Sequence, residues 1–254
     1  MEVSHHSPEP IQPIPSVDRR EQMSTAPYEV RLVGPEDKLF TQAEEVEAAV
    51  FLRAFGNTQE LLNAEYDKYR QASEFFIVID QANGQIAGVE RIIRHSDASF
   101  KSLDDLAKEP WNIEPEEVLR RAGLTIDPEK TIDIATIGVA EGYRAMDLPD
   151  HDYSVRMALL YATNRYSAEH GIKLWFSILD DKVLELIQAL GEPFSKYPGI
   201  KSGSYLDSPS STPVYCDFTS VLERVRVTEP ALYSMMILGQ GMSSIVSAPE
   251  LFAS

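Results

Sequence analysis

Polar and apolar residues alternate along YEVRLV (28–33), which predicts a first β-strand, and Pro35 and Asp37 break it. From Glu44 to Phe55, Val46, Ala49, Val50 and Arg53 recur at helical spacing. Gly56-Asn57 stops that helix, and Thr58 is placed to cap a second one running to about Arg70. FFIVID (75–80) and QIAGVERIIR (85–94) flank Asn83-Gly84, the clearest hairpin signal in the chain. Residues 95–130 are polar, with two short helical stretches, SLDDLAKEPW and EPEEVLRRAG, the second ending at Gly123 as a C-cap.

The segment TIDIATIGV (131–139) and the segment IKLWFSILD (172–180) carry few charges and predict strands buried on both faces. The helix between them repeats Val155, Leu159, Ala162 and Tyr166 on one face. A following helix (182–190) has the stripe Val183, Leu186, Ile187 and Leu190. GSYL (203–206) and PVYCDF (213–218) predict a last hairpin joined by the turn-rich SPSST. The order β, α, α, β-hairpin, β, α, β, α, β-hairpin predicts an α/β fold, a central mixed sheet with helices on both faces. Residues 1–27, rich in Pro, Ser and charge, predict a disordered tail. The domain is expected over 28–226 with 95–130 as a helical insertion, and 227–254 as a Met-rich helix and a tail.

Composition narrows the partners. The 254 residues hold 40 acidic and 23 basic side chains, a net charge of −17. Such a surface repels phosphate backbones, so neither nucleic acid nor an anionic membrane is expected as a partner. No apolar run approaches a membrane-spanning length, and the N-terminus has no apolar core of the signal-peptide kind. A single cysteine, Cys216, excludes an intrachain disulfide and fits a reducing cytoplasm. No Cys and His residues stand at metal-ligand spacing, so no metal is expected.

Residues 131–191 form one unit: strand, irregular turn, amphipathic helix, strand, helix. A strand ending in a turn before a helix N-terminus suits a phosphate or a pantetheine chain, which points to acyl transfer. Within this unit Asp133 shares a face, on strict alternation, with Ala135, Ile137 and Val139. A carboxylate in apolar surroundings has a raised pKa and can take a proton from an amine. The alternative is a sheet-face acid paired with Arg91, and Arg91 could equally grip a substrate carboxylate.

Val139, Tyr143 and Arg144 fall in a V-x-x-x-Y-R pattern at the end of a fourth strand. Here the chain resembles the GCN5-related N-acetyltransferase (GNAT) superfamily, whose fourth strand ends this way and runs into a glycine-rich pyrophosphate loop. The resemblance implies that Gly138, Val139 and Ala140, through their backbone groups, and Tyr143 and Arg144 contact the donor. Where that superfamily has Arg-x-x-Gly-x-Gly, this chain reads Arg144-Ala-Met-Asp-Leu-Pro-Asp-His, with Asp147 and Asp150 adding negative charge. A narrower likeness is to the acyl-homoserine-lactone synthase and N-acyl amino acid synthase branch, on Phe51, Asp67, Arg91 and Asp133. Ala64 replaces the first acid of that branch's D-x-x-D element, and Thr136 replaces its fourth-strand arginine. The branch implies an acyl-coenzyme A or acyl carrier protein cosubstrate, no tightly bound cofactor, and a small-molecule amine acceptor oriented by Arg91 and Asp67, with Phe51 also at the substrate site. Superfamily enzymes often protonate the departing thiolate with a tyrosine of the last helix. Helix 182–190 has none, which leaves water or Tyr197. A catalytically inactive member that binds a ligand in the same cleft is the alternative.

Overall fold

A computed structural model of the chain describes residues 26–144, 149–191 and 194–248. Strand β1 (Tyr28–Val33) leads into α1 (Lys38–Phe55), α2 (Gln59–Tyr66) and a 3-10 turn (Asp67–Ala72). Asp37 caps α1 by accepting from the Leu39 N–H, and Gly56, at φ 85°, ends it. Thr58 caps α2 as its sequence position predicts. Strands β2 (Ser73–Asp80) and β3 (Ile86–Arg94) form the Asn83-Gly84 hairpin, with Gly84 at φ 73°.

Helices α3 (Lys101–Leu106) and α4 (Pro115–Ala122) make up the insertion before β4 (Thr131–Val139). Then come α5 (Pro149–His170), β5 (Leu174–Asp180), α6 (Asp181–Ala189) and the two-residue β6 (Ser195–Lys196). Strands β7 (Gly203–Tyr205) and β8 (Ser208–Asp217), helices α7 (Phe218–Thr228) and α8 (Pro230–Met236), and β9 (Val246–Ser247) complete the chain.

The sheet runs β6-β8-β5-β4-β3-β2-β1-β9, with β7 beside β8. Among the described residues only β4–β5 and β1–β9 pair in parallel, and the other pairs are antiparallel. The mixed sheet with helices on both faces is as expected. Helix α5 lies on one face against β1 to β4, while α1 and α3 lie on the other. Two glycines let the helices come close. A Cβ on Gly88 would sit 2.5 Å from Val155 of α5, and one on Gly138 would sit 2.7 Å from Val50 of α1.

Several boundaries differ from the sequence expectation. The SPSST run is not a turn but the start of β8, and the hairpin turns instead at Leu206 and Asp207, both at positive φ. Helix α6 buries Leu184 and Ile187, and Leu186, expected on its core stripe, is 38% exposed. Most of the tail expected over 1–27 lies outside the described residues; Ala26 is buried and the Pro27 carbonyl accepts from the Gln81 N–H. The segment expected as a helix and tail beyond the domain adds β9 to the edge of its sheet. No described helix is long and apolar enough to cross a membrane.

Candidate active site

Strands β4 and β5 pair for three residues only: Thr131 with Leu174, Ile132 with Trp175, and Asp133 with Phe176. Beyond that point β4 continues to Val139 and β5 to Asp180 without pairing to each other. One cause is visible in the β3–β4 register. Arg91 faces Thr136 but Ile92 faces Ile134, so Ala135 is an extra residue in β4. Such a bulge bends its strand and raises the local twist. The Ser177 hydroxyl spans the start of the opening, donating to the Ile134 carbonyl at 2.6 Å.

The bulge also decides which backbone groups border the gap. The Ala140 N–H donates to the Ala87 carbonyl on β3. In an antiparallel ladder, alternate residues turn both backbone groups to the same neighbour. Gly138 therefore faces β3 with Ala140, and Ile137 and Val139 turn toward the gap. Of the three residues expected to offer backbone groups to a donor, only Val139 borders the opening.

A bulge shifts side-chain parity as well. Asp133 lies on the α1 and α3 face with Thr136 and Gly138, not with Ile137 and Val139 as strict alternation predicts. It is fully buried, and its two oxygens accept from the Ser102 N–H (2.6 Å) and the Ser102 hydroxyl (2.7 Å) at the start of α3. Burial pushes its pKa up to about 7, although both Ser102 donors and nearby Lys101 favour the charged form.

Around Asp133 the same face carries two buried polar networks. In the first, Glu47 of α1 accepts from Arg91 Nε (3.0 Å) and Nη2 (2.6 Å) and from the Thr136 hydroxyl (2.5 Å). Arg91 Nη1 donates to Ser73 at 3.2 Å, and the guanidinium lies over the Tyr66 and Phe75 rings. In the second, Lys101 Nζ meets Asp105 (2.5 Å), Glu65 (3.1 Å) and the Tyr205 hydroxyl (2.9 Å), which itself donates to Asp105. Burial alone would raise Asp105, but Lys101, Lys108 and Tyr205 outweigh it and hold its pKa below the ordinary value. Tyr66 lies between the networks, its pKa pushed far up by burial and then by Glu47. Tyr197 is also buried, its hydroxyl has no hydrogen-bond partner, and burial followed by the charge of Asp133 raises its pKa.

The remaining expected residues fall in varied places. Arg91 does not pair with Asp133; its donors are committed to Glu47 and Ser73, so it positions Glu47 rather than reaching outward. Phe51 packs in the cluster with Tyr66 and Ala135, beside the bulge. Asp67 is solvent-exposed, and the acid of that stretch that joins the site is Glu65. Tyr143 is buried and donates to Asp80 at 2.7 Å, which staples the end of β4 onto the β2–β3 hairpin. Arg144 turns back, its Nε donating to the Val139 carbonyl at 3.1 Å. Residues 145–148, the heart of the expected pyrophosphate loop, lie outside the described residues. Among the described residues no cluster of three or more acidic, His or Cys side chains could hold a metal.

Glu47 escaped sequence reading, although a signal was present. Ala43, Glu47, Val50 and Phe51 follow i, i+4, i+7, i+8 spacing, which puts an acid inside an otherwise apolar stripe.

The other face of the gap is apolar. A cavity of about 10 Å³ lies there between Ile134 and Ile137 of β4 and Trp175 and Leu179 of β5. Leu160, Ile187 and Phe194 close it, and Glu90 and Thr163 border it without exposing a polar atom to it.

No protein-family model and no curated protein sequence matches the chain. Solved structures do. The chain is similar to BjaI, a coenzyme A-dependent acyl-homoserine lactone synthase seen with SAM and isopentyl-CoA, at 11% identity and TM-score 0.52, covering 87% of this chain and 93% of that one. It is similar to FeeM, an N-acyl amino acid synthase from uncultured soil microbes, at 13% identity and TM-score 0.52, covering 77% and 93%. A third likeness is to the C-terminal condensation domain of Ebony in complex with beta-alanyl-dopamine, at 12% identity and TM-score 0.50, covering 75% and 98%. The parting strands, the bulged fourth strand and these likenesses together give the chain the fold of the GNAT-type N-acyltransferases.

Proposed function

We propose that this protein is an N-acyltransferase that moves an acyl group from a thioester, acyl-coenzyme A or an acyl carrier protein, to the primary amine of a small molecule. The observation that carries this reading is the parting of β4 and β5 immediately after Asp133. The opening borders a buried carboxylate of raised pKa on one face and an apolar cavity on the other. The arm of a thioester would lie in the gap as an added strand lies on a sheet edge, against the backbone groups of Ile137 and Val139. An N–H of that edge aimed at the carbonyl oxygen would stabilise the charge that develops there.

The neutral amine attacks the thioester carbonyl carbon, a C–N bond forms and the C–S bond breaks. The amine proton passes to Asp133, either directly or by way of water or the Ser102 hydroxyl, which lies 2.7 Å from the carboxylate. With a pKa near 7, a large share of Asp133 is ionised and ready to accept at neutral pH. The departing thiolate takes a proton from water or from Tyr197. Glu47, held by Arg91 and Thr136, sets the floor of the polar side where the acceptor would be oriented.

The test is thiol release from short- and long-chain thioesters, on coenzyme A and on a carrier protein, over a panel of primary amines. The reading expects acyl amide formation that Asp133→Asn abolishes while the fold is kept. Turnover unchanged in that variant removes Asp133 as the base. Binding of thioesters with no turnover by any amine establishes the rival, a ligand-binding protein with this fold. The closure of Ser102 over Asp133 is the observation that favours that rival.

A further inference from the structure

Two side-chain hydroxyls meet backbone carbonyls at the point where β4 leaves β5. Phe176 is the last β5 residue paired with β4, and Ser177, buried, follows it. The Ser177 hydroxyl donates to the Ile134 carbonyl at 2.6 Å. The next carbonyl of β4 belongs to Ala135, the bulge residue, which has no counterpart in the β3 register. The Tyr66 hydroxyl donates to that carbonyl at 3.5 Å. Ser177 alternates with Trp175 and Leu179, which wall the apolar cavity, so it acts from the α5 face. Tyr66 comes from the end of α2 on the opposite face, packed with Ala48 of α1 and Ile93 of β3. Its ring centre lies 4.3 Å from the Arg91 guanidinium and 5.1 Å from the Lys101 ammonium, and these two buried cations limit where the hydroxyl can point. A parallel ladder continues while carbonyls of one strand take amide hydrogens of the other. A hydroxyl that occupies such a carbonyl competes with the ladder. Alanine at 177 and phenylalanine at 66 would fill nearly the same space, so packing accounts for neither hydroxyl, whereas buried carbonyls in need of donors account for both.

We propose that Ser177 and Tyr66 are positioning residues that fix where the two strands part, one from each face of the sheet, so that the edge at Ile137 and Val139 is presented to the thioester arm. The inference rests on the reading of the gap as the thioester channel. Both residues act through the backbone of β4 and not on the reacting atoms. Without the Ser177 hydroxyl, the Ile134 carbonyl is released to a β5 amide. Without the Tyr66 hydroxyl, the bulge loses its tie to α2. Either change moves the border of the gap, and a misplacement of about 1 Å at a binding edge can cost about 100-fold in rate.

Ser177→Ala and Tyr66→Phe each remove one hydroxyl and leave the rest of the side chain. Tyr69→Phe and Ser167→Ala are the controls, because these hydroxyls are as deeply buried but bond Asp104 and the Trp175 indole, away from the fork. Calorimetry gives the dissociation constants of butanoyl-coenzyme A and of a butanoyl carrier protein, thiol release gives kcat and KM, and urea unfolding gives stability. The expected result is thioester binding weaker by roughly tenfold or more in each fork variant, against constants within about twofold of the wild type in both controls. KM should rise by a larger factor than kcat falls in the fork variants, and stability should drop to a similar extent in all four. If one fork variant fails to fold, the other decides. Folded fork variants that bind as the wild type does, or controls that lose as much affinity, overturn this inference and leave the thioester reading standing. Failure of both fork variants to fold does the same, since it makes the two hydroxyls structural. A wild type that binds neither thioester overturns both readings.

Discussion

Replacing Asp133 by Asn removes a titrating group from the interior and leaves its shape and one of its acceptors in place. The Asn carbonyl can still receive the Ser102 N–H, and its amide can donate to the Ser102 hydroxyl. In the folded wild type the group titrates near 7, while in the unfolded chain it titrates near 3.9. A folded pKa above the unfolded one means that the stabilising share is complete below about pH 4 and is lost as pH rises through about 7. Between pH 5 and pH 8 the unfolded state gains about 4 kcal/mol from ionising this carboxylate, and the folded state recovers only part of that. The wild type should therefore lose roughly 2.5 kcal/mol over this interval from Asp133 alone. The Asn variant should not, and for a chain of this size the difference is roughly 5–10 °C in Tm. Urea unfolding of both proteins at pH 5 and at pH 8 gives four stabilities, and the double difference cancels groups that behave alike in the two proteins. A double difference below about 0.5 kcal/mol would refute the assignment of a buried, elevated carboxylate. In parallel, kcat/KM of the wild type should climb with pH through about 7. The variant should be at least ~100-fold slower and lack that limb.

Three further outcomes follow from the geometry. Glu47→Ala strands the buried Arg91 guanidinium and should cost about 3–5 kcal/mol in denaturant unfolding, with Glu47→Gln falling between it and the wild type. Gly138→Ala drives a methyl toward Val50 and should cost roughly 1–3 kcal/mol, most of it recovered in a Val50→Ala background, a non-additivity that a double-mutant cycle reads directly. Tyr143→Phe removes the donation to Asp80 and should lower stability by about 1 kcal/mol while leaving thioester binding unchanged; a lost affinity would return Tyr143 to the donor site.

The sequence made the scaffold readable where one local rule acts alone. Asn83-Gly84 forms its turn because the residue at positive φ is glycine, and Thr58 caps α2 because its hydroxyl meets the first free N–H groups. The two buried strands and the helix between them were legible from apolar runs of the right length. What could not be read depends on a register that appears only when strands pair. Ala135 looks like any small strand residue, yet as the extra member of its ladder it moves Asp133 to the opposite side from Ile137 and Val139. The same shift makes Ile137, rather than Gly138 or Ala140, a border of the gap. The partner of Arg91 is not legible in the sequence for a related reason. Asp133 is near it along the fold, but the acid that reaches it comes from a helix 44 residues away in sequence. At the β7–β8 turn two residues without glycine's freedom adopt positive φ, so the more obvious turn composition lies in SPSST, which is strand.

The outermost strands of the sheet, β6 and β9, are two residues long each. A margin so brief offers a neighbouring molecule almost no ladder to extend, so the sheet is protected from joining edge to edge with other copies. Residue pairs at the two ends of the sheet thus serve colloidal hygiene: a chain trimmed before Val246 would uncover the flank of β1 at Tyr28 and Glu29, which β9 pairs, and should clump more readily on concentration.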